Sequence, residues 1–98
     1  ERLFTETRQV KLQQQLTWLE YVSTKTAPDN ALILYFYAYM QWRVLGEIES
    51  ELVYAVHLRL EQSEYWREKF KLFGLSLRDI MDYQFPRKTR ETALWLNA

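Results

Sequence analysis

Chemistry in this chain has few places to start. There is one histidine and no cysteine among 98 residues, so a metal or nucleophilic site must rest on His57 or on carboxylates. On a helix the neighbours of His57 are Val53, Tyr54, Leu60 and Glu61. A helical di-metal carboxylate site places Glu three residues before its His, and that position is Tyr54. A zinc site draws on several imidazole and thiolate ligands, which are not to be had here. The plainer expectation is a His57–Glu61 hydrogen-bonded pair on a helix surface, one turn apart.

Glu47, Glu49 and Glu51 are the second candidate. Paired carboxylates can act as acid and base or bind a cation. Glu47 and Glu51 would share a helix face and Glu49 would not. Acidic residues in a first helical turn also complement the helix dipole while remaining solvated, and this is the preferred reading. A phosphate-binding loop needs clustered glycines, whereas Gly46 and Gly74 are separated by 27 residues. No Gly-x-Ser-x-Gly elbow is present, and no second histidine that a triad could use. No catalytic residue, cofactor site or metal ligand is therefore assigned. No small-molecule substrate is evident, and a non-enzymatic role is expected.

The elements that would carry such residues read as helices. Two Gly and two Pro are too few turn residues for a chain of short strands. Leu12, Leu16 and Leu19 form a helical stripe over Thr5 to about Thr24, with Trp18 and Val22 beside it and Gln13, Gln14 and Gln15 on the remaining surface. Lys25–Asn30 reads as a turn, with Thr26 and Asp29 in capping-box positions. The next helix, Asp29 to about Leu45, is apolar on all sides, so burial on several faces is expected. Gly46 either breaks the chain there or lies within a longer helix. Ile48, Leu52, Ala55, Val56 and Leu60 mark a third helix from Glu47 to about Glu61. Ser63 caps a fourth over Glu64–Phe73, with Trp66, Phe70 and Phe73 inward and Gly74 beyond its end. Ser76 and Asp79 open a fifth that runs to Pro86, and Thr89 caps a short last helix through Trp95 and Leu96. The expected fold is all-α: a compact bundle of about five helices around a hydrophobic central one, with residues 1–98 as a single domain.

Composition narrows the function. Thirteen basic residues balance thirteen acidic ones, which argues against a generally basic nucleic-acid binder. The longest apolar run, Ala31–Met40, is ten residues, half of what a membrane-spanning helix needs. The first residues lack the pattern of a secretory leader, and a cytoplasmic setting is expected. Sixteen aromatic residues are hard to hide in so small a core, so some should meet solvent or a partner. An interaction module or a small subunit of an assembly follows, with self-association through the central helices as its simplest form. The candidate contacts are Tyr35, Tyr39 and Trp42 on one face of the central helix, and Trp66 and Trp95.

A second reading is nucleic-acid binding. Residues 66–85, with Gly74 at a turn and Ser76 before the next helix, have the spacing of a helix-turn-helix. Phe70 is bulky where that motif keeps a small residue, and Asp79 and Asp82 would repel phosphates. Residues 63–98 carry seven basic and five acidic side chains. Arg67, Lys71, Arg78, Arg87, Lys88 and Arg90 are the candidate phosphate contacts.

Overall fold

The leucine stripe of the first segment builds α1, Arg2–Tyr21. The computed structural model describes residues 2–87 and 89–91, with side chains from Val10 onward. Leu19 is fully buried, and Leu12 and Leu16 pack against the core. Gln15 is buried as well rather than on the surface, whereas Trp18 is largely exposed. The stripe that packs is therefore rotated toward Gln15 and Leu19 and away from Trp18. After Tyr21 the helix loosens into a π-helical turn, Val22–Thr26. The hydroxyls of Ser23 and Thr24 both donate to the Glu20 carbonyl, competing with the backbone ladder where it widens.

The central helix α2, Ala31–Leu45, begins two residues later than the capping-box reading predicts. Asn30, not Thr26, is the cap, its Oδ1 accepting from the Ile33 N–H at 3.1 Å. Helices α1, α3 (Ser50–Gln62), α4 (Glu64–Leu72) and α5 (Leu77–Met81) all pack on α2. This explains its all-round apolarity: Leu34, Tyr35, Phe36, Ala38, Tyr39 and Met40 are buried together. Gly46 ends α2 in a left-handed conformation, φ 79°, so α2 and α3 are separate. The acidic run then lies mostly before α3 instead of inside its first turn, since α3 starts at Ser50.

The fourth helix matches its sequence signals. Ser63 Oγ accepts from the Trp66 N–H, and Gly74 adopts φ 69° just beyond the end. Phe70 is buried and Trp66 half-buried, but Phe73 is 39% exposed and not an inner residue. The predicted fifth helix is cut short at Met81. Its chain reverses through Tyr83 at φ 54°, with the Gln84 N–H returning to the Asp79 carbonyl at 2.9 Å. The backbone is helical again from Arg87, so Thr89 lies inside a turn rather than capping one. Trp95 and Leu96 fall outside the described residues. Among those described, every regular element is helical, and the fold is an all-α bundle.

Candidate interaction surface

Two polar anchors set the positions of α3 and α5. Gln41, fully buried on α2, grips the start of α3: its Oε1 accepts from the Glu49 N–H at 3.0 Å and its Nε2 donates to Glu49 Oε1 at 3.2 Å. A buried amide needs such partners. The other anchor is Tyr35. Its hydroxyl donates to Asp79 Oδ2 at 3.0 Å and lies 3.0 Å from Thr89 Oγ1. A carboxylate only accepts, so the phenol proton goes to Asp79 and the Thr89 hydroxyl donates to the phenol oxygen. The Asp79 carboxylate also receives the Ser76 N–H and Oγ–H, as the predicted Ser76–Asp79 cap implies. Burial pushes the Tyr35 phenol far above the usual tyrosine range, which keeps it a donor. Burial also raises Tyr37. Arg59 adds a third tie, donating from Nε and Nη2 to the Pro28 carbonyl and from Nη1 to the Ala55 carbonyl.

Held this way, α3 and α5 leave an apolar groove of about 610 Å³ between them. Ile48 and Ile80 are its buried floor, flanked by half-buried Val53 and Leu77. Tyr54, Met81 and Tyr83 are exposed on its rim at 62%, 63% and 45%. Ser50, Val53, Tyr54 and His57 share one face of α3 by helical spacing. His57 closes that row, with Nε2 3.1 Å from Glu61 Oε2, the surface pair expected from sequence. Tyr83 holds left-handed backbone at a helix end where glycine is usual, a strained choice for a bulky residue. No group of histidines and carboxylates is spaced to hold a metal among the described residues.

Two other apolar surfaces lie on single helices, and the one on α1 is larger than the groove, about 710 Å³. The outer face of α1 carries Val10, Trp18 and Tyr21, interrupted by Gln13, Gln14 and Thr17. On α4, Tyr65 and Leu72 are exposed, with Lys69 Nζ 5.4 Å from the Tyr65 ring centroid.

The structure corrects much of the expected contact set. Tyr35 and Tyr39 are buried in the core and cannot meet a partner. Both rings pack edge-on to Phe85, at 5.7 and 5.1 Å, and Tyr35 also meets Phe70 at 5.6 Å. Trp42 is half-buried beside Phe85, 5.5 Å away. Trp66 is half-buried against the core. Trp95 lies outside the described residues. The same packing leaves little of α2 open to a second copy, because α1, α3, α4 and α5 all pack on it. Nothing in the sequence pattern marks the groove residues Tyr54, Met81 and Tyr83. Their exposure depends on where α5 stops, which the stretch between Ser76 and Pro86 does not announce.

Of the basic candidates, Arg67 is tied to the backbone, and Arg78 and Arg87 pair with carboxylates while staying exposed. Arg67 Nη1 donates to the carbonyls of Leu60 and Glu61 at 2.8 and 2.9 Å, tying down the end of α3. Arg78 faces Asp82 at 3.4 Å and Arg87 faces Glu91 at 3.2 Å. Lys71 and Arg90 are exposed, and Lys88 lies outside the described residues. Helices α4 and α5 pack on α3 and α2. At five residues, α5 is also short for a recognition helix.

Comparison with known proteins adds no relative: no family model, curated protein or solved structure matches this chain. No helix among the described residues is long and apolar enough to cross a membrane.

Proposed function

We propose that this protein is a non-enzymatic interaction module that receives a protein partner in the α3–α5 groove, as a self-associating domain or a small subunit of a larger assembly. The observation that carries this reading is the groove itself: Tyr54, Met81 and Tyr83 stand exposed over a buried apolar floor. Tyrosine and methionine are enriched at protein interfaces. Met81 adds an adaptable side chain that can mould to a partner. A cytoplasmic setting belongs to the same proposal.

Light scattering across a protein dilution series, with and without duplex DNA, tests it. A mass unaffected by DNA supports the reading. If that mass is a dimer that Met81→Lys reduces to a monomer, the groove is a self-interface; if it is a monomer, the partner is another chain. A mass that rises with DNA and falls back with salt overturns the proposal in favour of the basic residues.

A further inference from the structure

The partner's chemistry can be read from the rim charges. Within one helical turn of the groove-lining residues lie six carboxylates: Glu47, Glu49, Glu51, Glu61, Asp79 and Asp82. The same stretch holds Arg59, Arg78 and Arg87. Each of these guanidinium groups faces a carboxylate, Asp29, Asp82 and Glu91 respectively, with Arg78 and Arg87 still exposed, so six carboxylates stand against three arginines. Of the six, Asp82 faces Arg78, Glu61 faces His57, Glu49 accepts from Gln41 and Asp79 accepts from Tyr35 and Ser76. Glu47, Glu49, Glu51 and Glu61 are all exposed. Glu61 continues the row of Ser50, Tyr54 and His57, at one end of the groove. Glu51 sits beside Tyr54 on its flank. A groove with an apolar floor and this rim attracts cations alongside apolar side chains and repels acidic ones.

Its dimensions suit a helix. The α3 row from Ser50 to His57 spans about 10 Å, two turns at the α-helical rise. Apolar anchors at i, i+3 or i+4 and i+7 of a partner helix cover that length. The lone strained rim residue, Tyr83 at φ 54°, places an aromatic ring where glycine would be easier to hold.

We infer that the α3–α5 groove binds an amphipathic helix of another protein, with an apolar stripe on the floor and flanking lysines or arginines against Glu51 and Glu61. This rests on the groove being the contact surface, as proposed above. The test uses two synthetic helical peptides with one leucine pattern, flanked by lysine in the first and glutamate in the second. Each is titrated into the isotope-labelled chain and followed by backbone amide shifts. The lysine peptide is expected to shift amides of Val53–His57 and Leu77–Tyr83, to bind at least tenfold more tightly than the glutamate peptide, and to weaken with added salt. Met81→Lys and Tyr54→Ser, both at exposed side chains, should each weaken it severalfold with the fold unchanged.

Equal binding of both peptides in the groove overturns the charge assignment but leaves the contact surface standing. Lysine-peptide shifts confined to α1 or α4 overturn both. No binding of either peptide overturns the helical partner. A groove occupied by a second copy, seen as the Met81-sensitive dimer, overturns it too.

Discussion

Replacing Tyr35 by Phe removes one oxygen from the point where α2, α5 and the Thr89 turn meet. The ring stays, and with it the packing against Phe36, Phe70 and Phe85. Two hydrogen bonds are lost, to Asp79 and with Thr89. Asp79 keeps its Ser76 donors and some solvent, so that loss belongs near the lower end of the roughly 1.5–3 kcal/mol for a charged partner. Thr89 is fully buried and water cannot replace the phenol, so its orphaned hydroxyl costs about 1–2 kcal/mol. The expected destabilisation is about 2–4 kcal/mol in urea unfolding, with an unchanged dependence on denaturant. For a chain this size the melting temperature falls by roughly 10–20 °C. Thr89→Val in the Tyr35→Phe background removes the orphan, so the double variant should be less destabilised than the sum of the singles by about 1 kcal/mol. A loss below about 1 kcal/mol, or strict additivity, would refute the reasoning that this bridge fixes α5 on α2.

Three further outcomes follow from the same geometry. Tyr35 has its pKa raised from 10.0, so below pH about 10 its contribution is fully present. Above that pH the unfolded chain releases the proton while the folded chain retains it, and stability should fall as pH rises, by up to about 1.4 kcal/mol per unit; a flat urea midpoint from pH 9 to 11 would contradict this. Tyr83→Gly relieves the left-handed strain and should raise stability by roughly 1 kcal/mol while weakening the lysine peptide; loss of stability would mean that the ring packs more than its exposure indicates. Gln41→Leu leaves the Glu49 N–H without its acceptor and should cost about 1–3 kcal/mol, with hydrogen exchange quickened at the start of α3; protection equal to the parent's would remove Gln41 as the anchor of that helix.

The class of fold was legible because it follows from local rules. Sparse Gly and Pro, leucines on a helical period, Ser63 before Glu64 and Gly74 after Phe73 act within a few residues of one another. So does His57 with Glu61. The apolar character of Ala31–Leu45 also marked the central helix, since only a helix packed on every side tolerates so few polar residues. That same character could not say which aromatic rings remain outside. Tyr35 and Tyr54 are alike in sequence; one is sealed by α4, α5 and Phe85, and the other is left uncovered. Asn30 caps α2 in place of Thr26, a local i to i+3 bond that competes with the one the sequence pattern favours, and α5 ends at Met81, ahead of Pro86.

The groove is therefore a product of tertiary structure. It exists because Gln41 and Tyr35, residues whose sequence neighbourhood marks only a buried helix, reach 8 and 44 positions along the chain to Glu49 and Asp79. Periodicity and capping operate over one or two turns, and contacts of that reach leave no local trace. The sequence by itself determined that helices form and which faces are apolar. The docking of α3 and α5 on α2 decided which apolar side chains became core and which were left exposed.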